Sequence, residues 1–326
     1  RSSDIKPVGV GESTLGGIRH WMSALGIDEK EFMAYTNASY KMSIKFTDFY
    51  EKDYRSFHYP FGQPHIDNTC TGLNDWQIKK ALYPDTPVED YCRTYYPAMS
   101  FIEKNKFPSL DHNLEDFRHD TDVAYHFDAA LFGQWLKNNY CLPRNVKHID
   151  GIVESIQQDN NGITSLTLKN LDSITADLYI DCTGWKSLLL GEALKEPFNS
   201  YSDILPNNRA WAVQLPYTDK EKELEPFTNC TAIDNGWVWN IPLWSRIGTG
   251  YVYSDKHISP EDALQQFKDH LNSNKMTVPN NNRVTDDLVF RDISMRVGLH
   301  QRTWVKNVVA IGLSAGFIEP LESNGL

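Results

Sequence analysis

Apolar and polar positions alternate along Tyr40-Lys41-Met42-Ser43-Ile44-Lys45-Phe46, and this period of two predicts a strand. Upstream, residues 1–17 are rich in glycine and read as a loop, followed by helices near 17–26 and 28–36, with Asp28 as the cap of the second. From about 52 to 120 the pattern is weak and rich in His, Tyr, Pro and Asp, which predicts a long irregular insertion of the kind that often carries function. Regularity returns at Ala124-Tyr125-His126-Phe127, a strand leading into a helix that starts near Asp128. Two β-rich runs, Ile152 to Gln158 and Ile163 to Asn170, flank Asn160-Asn161-Gly162, a strong hairpin signal. A buried strand over 177–182 runs into Thr183-Gly184, and further strands are expected at 208–215 and 246–254, with Gly236-Trp237-Val238-Trp239-Asn240-Ile241-Pro242 between them. Ser259-Pro260-Glu261-Asp262 supplies a cap, an N1 proline and a capping box for a helix over 260–273. Val308-Val309-Ala310-Ile311-Gly312 ends the series as a strand with a small-residue turn. No repeat or linker interrupts these elements, so the fold class is mixed α/β.

Composition narrows what such a chain can do. Its 326 residues can bury a sizeable core in one large domain or two intimate ones. The formal charge of -11 is spread without a basic cluster, which argues against nucleic acid, because phosphate contacts need a positive stripe. There is no long apolar run to span a membrane and no basic-apolar leader at the start. Cys70, Cys92, Cys141, Cys182 and Cys230 are odd in number and widely spaced, which fits reduced thiols in a cytoplasmic protein better than disulfides or a zinc site. The chain opens on Arg1-Ser2-Ser3-Asp4 with no strand before it and stops at Ser323-Asn324-Gly325-Leu326 inside a turn, so both ends are expected to be cut from a longer protein.

Three glycine-bearing segments lie at or beside strand-like runs: Gly9-Val10-Gly11-Glu12-Ser13-Thr14, Cys182-Thr183-Gly184-Trp185 and Ile311-Gly312-Leu313-Ser314-Ala315-Gly316. Glycine there lets backbone amides approach a pyrophosphate or a flavin ring where a Cβ would collide, although glycine also simply makes turns. Together, in an α/β chain, the three point to a dinucleotide. The full G-x-G-x-x-G fingerprint is absent, and a first nucleotide-binding strand would have to precede Arg1.

Six ordered segments then make a specific match. Val8-Gly9-Val10-Gly11-Glu12-Ser13-Thr14, Asn37-Ala38-Ser39-Tyr40-Lys41, Tyr125-His126-Phe127-Asp128-Ala129, Ile180-Asp181-Cys182-Thr183-Gly184, Gly236-Trp237-Val238-Trp239-Asn240-Ile241-Pro242 and Phe317-Ile318-Glu319-Pro320-Leu321-Glu322-Ser323 span nearly the whole chain. In this it resembles the flavin-dependent tryptophan halogenase family, and the W-x-W-x-I-P element is the most diagnostic part. The resemblance implies one FAD-dependent halogenase domain over 1–326, lacking its first nucleotide-binding strand and a C-terminal segment. The fold it implies is the Rossmann-like, hydroxylase-type FAD fold with an antiparallel β-sheet substrate region. FAD-contacting parts are expected near 7–17, 124–185 and 308–326, and substrate-side parts near 37–120 and 200–300. A separate flavin reductase would supply the reduced cofactor. Oxygen and chloride or bromide would then give hypohalous acid, which travels through a tunnel to a lysine. A homodimer is compatible with this reading.

By motif, that lysine is Lys41 and its companion acid is Glu322; Lys45, four residues on, is expected on the same strand face but does not match. Free hypohalous acid is indiscriminate, so selectivity needs a positioned donor in a dry channel. An ammonium can hydrogen-bond the reagent, a neutral amine would form a haloamine, and sequence leaves both open. The Glu322 carboxylate could hold the reagent or take the ring proton. The resemblance gives FAD contacts at Gly9, Gly11, Glu12, Ser13, Thr14, Thr183, Gly184 and Gly312, and halide contacts from the amides of Ser323, Asn324 and Gly325, where the family usually has Ser-Thr-Gly. Trp237 and Trp239, two apart on a strand, project to one face, which in the family lines the passage from flavin to substrate. His58-Tyr59-Pro60-Phe61-Gly62 resembles the family's substrate-stacking loop, with Phe61 as the stacking ring. Tyr59 stands in place of the usual His, unless His58 serves with a one-residue shift. An electron-rich aromatic such as an indole is the expected substrate. The rival readings are an aromatic hydroxylase on the same fold, a non-catalytic fragment, and a nicotinamide-linked oxidoreductase, for which no motif is visible.

Overall fold

The computed structural model describes residues 11–52, 55–67, 69, 71–108, 117–169, 173–275, 278–318 and 321. At its centre is a seven-stranded sheet in the order Arg291–Ser294, Arg209–Leu215, Ile247–Tyr253, Gly236–Pro242, Phe227–Ile233, Ser43–Thr47, Ser56–Pro60. All neighbours are antiparallel except Phe227–Ile233 and Ser43–Thr47, which run parallel. The period of two sorts each strand between two faces. Val238 joins Val213, Leu215, Tyr251 and Tyr253 under the helix Pro260–Asn272, which contributes Ala263, Phe267 and Leu271. Trp237, Trp239 and Ile241 go to the other side, with Ile44, Ala210, Ala212, Cys230 and Phe61.

A smaller sheet, Glu12–Ser13, Ala124–Phe127 and Ser39–Lys41 in that order, lies beside this second face. Helices Gly17–Ala24, Glu29–Thr36 and Ala129–Trp135 cover it through Met22, Phe32, Phe132 and Trp135. Their starts follow the capping logic: Asp28 accepts from the Glu31 amide at 2.9 Å, and Asp128 from those of Ala130 and Leu131. Tyr179–Asp181 and Val308–Ala310 form a parallel pair, and the predicted hairpin appears as Val153–Asp159 and Gly162–Leu168. Strands of both parallel and antiparallel kind, interleaved with helices, make the chain mixed α/β.

Two expectations need correction. The strand predicted over Tyr40–Phe46 is two strands in two different sheets, broken at Met42, whose amide bonds to the Pro226 carbonyl and whose carbonyl takes the Phe61 amide. Lys41 and Lys45 therefore do not share a strand face. The stretch from 52 to 120 is also more regular than its pattern suggested. It holds the edge strand Ser56–Pro60 and helices Leu73–Leu82, Asp90–Tyr95 and Met99–Ile102.

Candidate functional site

Lys41 is wholly enclosed, with 0% of its surface exposed. Its Nζ donates to the Thr14 carbonyl at 2.9 Å and sits 5.0 Å from the centre of the Phe61 ring, where the ring's quadrupole attracts a cation. The Thr14 carbonyl is fixed for this role. Thr14 donates from both its amide and its hydroxyl to the Tyr125 carbonyl and accepts from the Tyr125 amide, which leaves its own carbonyl turned to Lys41. Phe61 is positioned by the next residue. Gly62 has φ +90°, and a Cβ there would lie 2.6 Å from the buried Asp122 carboxyl carbon, so the chain turns tightly behind the ring.

Trp237 and Trp239 share the buried cluster of Phe61 and Ile44, at 9% and 4% exposure. Their indole Nε1 groups have no hydrogen-bond partner among the described residues. Leu321, adjacent in sequence to Glu322, packs against the same cluster. Glu322, Ser323, Asn324, Gly325 and Gly9 lie outside the described residues.

The aromatic loop divides. His58 faces away from Phe61, with Nδ1 3.0 Å from the Ser43 hydroxyl and its ring edge-on to Phe227. Burial, with the charges of Lys45 and Arg93, pushes His58 down to about 3, so its ring is neutral. Tyr59 pairs with Ile44 in the strand register, on the Phe61 side, and is 60% exposed. Structure thus brings Lys41, Thr14 and Phe61 together, sets Tyr59 on their side of the strand, and takes His58 to a different pocket. That pocket, about 310 Å³, is also lined by Lys45, Arg93 and Glu225, and burial pushes Glu225 up to about 7 against the opposing pull of Lys45. A second, mostly apolar pocket of about 510 Å³ lies under Leu136, Cys141, Val153 and Leu166. Lys41 lines neither.

The glycine segments serve two different ends. At Gly11, with φ +129°, a Cβ would come within 2.8 Å of Leu243 and 3.5 Å of Ile241, so glycine is required there by packing against the end of the tryptophan strand. Glu12, beside it, is pushed up by burial and by the Asp128 charge. Gly184 and Gly312, with φ +70° and +59°, sit just beyond the parallel strands, and a Cβ at either would point into open space. The two turns touch, since the Ser314 hydroxyl donates to the Gly184 carbonyl at 3.3 Å. Asp181 anchors this corner. Its carboxylate accepts from the Thr183 amide and hydroxyl and from the amides of Leu189 and Leu190. Exposed backbone at the carboxyl ends of parallel strands is where open α/β sheets bind their ligands, and open cradles at both turns fit a dinucleotide cofactor.

One buried cluster was not singled out by the sequence. His126, 0% exposed, lies between Ser39 and Thr228, and Thr228 in turn meets the Ser13 hydroxyl. The available signal was a histidine inside an otherwise apolar strand motif.

An α/β scaffold with open glycine turns beyond a parallel strand pair, and a large, mostly antiparallel sheet packed beside the strand of an enclosed lysine, has the layout of a cofactor-binding protein. Residues 1–326 match the family model for tryptophan halogenases, and the chain belongs to that family. It is 35% identical to the tryptophan 6-halogenase SttH of Streptomyces toxytricini, over 100% of this chain and 63% of that protein. The crystal structure of that enzyme superimposes with a TM-score of 0.85 over 99% of this chain and 62% of its own. The tryptophan 7-halogenase RebH of Lentzea aerocolonigenes is 33% identical, again over 100% of this chain and 61% of that protein. A solved apo structure of VirX1 gives 42% identity and a TM-score of 0.88, covering 98% of this chain and 60% of the other. The chain thus spans about three fifths of the length of these relatives.

Proposed function

We propose that this protein is a cytoplasmic flavin-dependent halogenase acting on an electron-rich aromatic, an indole or tryptophan-like ring, with chloride or bromide. The observation that carries the reading is the enclosure of Lys41 between the Thr14 carbonyl and the Phe61 ring, against the cluster that holds Trp237 and Trp239. A lysine that is wholly removed from water needs a reason, because burial of an ammonium is costly unless it is compensated. Positioning a reactive oxidant is such a reason.

FAD would be held by the turns at Thr183, Gly184 and Gly312 and by Gly9 and the Gly11–Thr14 segment. When bound and reduced by a partner reductase, the flavin would supply the two electrons that activate oxygen, so that one oxygen atom leaves as water and the other oxidises halide to hypohalous acid. Lys41 holds that reagent and directs its halogen toward the substrate. Glu322 takes the proton that the ring loses after halogen addition, and the amides of Ser323, Asn324 and Gly325 hold halide. Trp237 and Trp239 keep water and organic substrate from the flavin side, while Phe61 and Tyr59 stack on the substrate.

The test supplies the full chain with FAD, a flavin reductase, NADH and bromide, and follows an indole panel by mass spectrometry. Halogenated indole is expected from the parent protein, and none from Lys41→Ala, with FAD binding unchanged in both. Near-parent yield from Lys41→Ala would refute the role of the lysine, and a hydroxylated product from the parent would refute the reaction class.

A further inference from the structure

His126 occupies the middle of a row. In the small sheet it pairs across one side with Ser13 and across the other with Ser39, so these three side chains emerge from one face. Lys41, two residues beyond Ser39, emerges from the same face opposite Ala124. Thr228, from the parallel-paired strand of the large sheet, and the Pro242 carbonyl, from the end of the tryptophan strand, close over the row.

The hydrogens in this row can be placed in order. A carbonyl only accepts, so the single hydroxyl proton of Ser39 points to the Pro242 oxygen, 2.5 Å away. The Ser39 oxygen then has only lone pairs to offer His126 Nδ1 at 3.3 Å, and Nδ1 must carry the proton. Burial and the charge of Lys41 hold His126 well below its ordinary value, against a smaller opposing effect of the Pro242 carbonyl, so the ring is neutral and Nε2 is bare. Bare Nε2 accepts from the Thr228 hydroxyl at 2.9 Å. Thr228, its proton spent, accepts from Ser13 at 2.5 Å. The opposite tautomer would set a lone pair of Nδ1 against one of Ser39.

We propose that His126, as the Nδ1–H tautomer, is a positioning residue that fixes the Ser13–Thr14 segment, through Thr228, where the Thr14 carbonyl receives Lys41. It touches neither reagent nor substrate. It acts on chemistry through the placement of the lysine, and so this inference rests on the halogenase reading above.

The test uses the full chain with FAD and reductase, the variants Thr228→Val, His126→Leu and His126→Gln, and nitrogen-15 NMR of the histidine rings. Thr228→Val keeps the shape and removes the hydroxyl; it is expected to lower kcat about tenfold with KM unchanged, because only placement of the lysine is lost. His126→Leu is expected to lose about 10²-fold, and His126→Gln, whose side-chain oxygen can accept from Thr228, to recover most of that. In the parent protein the His126 ring should show protonated Nδ1 and bare Nε2 at neutral pH, and the Nε2 signal should shift in Thr228→Val. An Nε2–H or doubly protonated ring overturns the proposal, as does folded Thr228→Val with parent kcat. If His126→Leu fails to fold, Thr228→Val and the NMR signals decide. A parent protein that halogenates nothing would fell the halogenase reading, while the ring signals and their response to Thr228→Val still judge the hydrogen-bond order.

Discussion

Replacing Gly250 by alanine tests how firmly the tryptophan face is built. Gly250 lies opposite Trp239 in the register of Gly236–Pro242 with Ile247–Tyr253. A Cβ at this position would stand 2.2 Å from Trp239 Cη2, 2.3 Å from Cζ2 and 2.5 Å from the Trp211 carbonyl oxygen. Non-bonded heavy atoms settle at roughly 3.5–4.0 Å, so the indole or the strands must yield by more than about 1 Å. Neither is a flexible side-chain tip. Trp239 is buried in the cluster of Ile44, Phe61 and Ile241, and the strand bearing Gly250 is paired on both sides. Overpacking of this kind costs about 1–3 kcal/mol, and two rigid contacts put Gly250→Ala near the top of that range. Trp239→Phe removes the two ring atoms that clash and leaves the Trp211 contact. In that background the alanine should therefore cost at least about 1 kcal/mol less, a coupling that urea midpoints of the two single variants and the double variant measure directly. Costs that add to within about 0.5 kcal/mol would refute the claim that the indole lies against Gly250.

Two further perturbations probe regions away from that face. His270, in the helix Pro260–Asn272, has an Nε2 without a hydrogen-bond partner among the described residues, and burial pushes it down to about 4. A base whose folded value is depressed contributes stability above its ordinary value near 6.5, and that stability is lost as pH falls toward 4. Between pH 7.5 and 5 the loss is about 2 kcal/mol; urea titrations should show His270→Leu without this component, and equal slopes in both proteins would sink the argument. At Asp181, burial raises the carboxyl, but its bonds from the Thr183 hydroxyl and from the Leu190, Thr183 and Leu189 amides outweigh it and hold the group below the usual range. Asp181→Ala strands three amides and should cost about 3 kcal/mol or more, with Asp181→Asn intermediate; thermal melting at neutral pH reads both, and a silent alanine variant would contradict the anchoring role.

The sequence carried most of what local chemistry decides. Asn160-Asn161-Gly162 closes its hairpin, Asp28, Asp128 and Ser259 cap their helices, and the period of two sends Trp237 and Trp239 to one side. Helix Leu73–Leu82 escaped because it buries no residue fully, and so has no apolar stripe to read. His126 escaped because its worth depends on Ser13, Ser39 and Thr228, which are 113, 87 and 102 residues away; the last two separations are those of its own hydrogen bonds.

Met42 shows why the lysine itself was half legible. Alternation from Tyr40 to Phe46 is unbroken in the sequence, and nothing local ends a strand there. Its partners end it: residues 39–41 pair with 124–126, whereas 43–47 pair with 227–231 and with 56–60. Met42 bridges the two sets through the Pro226 carbonyl and the Phe61 amide, and the bond to Phe61 also ties the aromatic ring to the lysine's own strand. One residue thus hands the chain from one sheet to the next, so that Lys41 turns to Thr14 and Phe61 while Lys45 turns to the His58 and Glu225 pocket. Four residues apart in sequence, the two lysines sit in separate electrostatic environments, and only the first is wholly withdrawn from water. A register slip that joined both strands into one sheet would undo that separation, which makes the break at Met42 as much a part of the site as the amine.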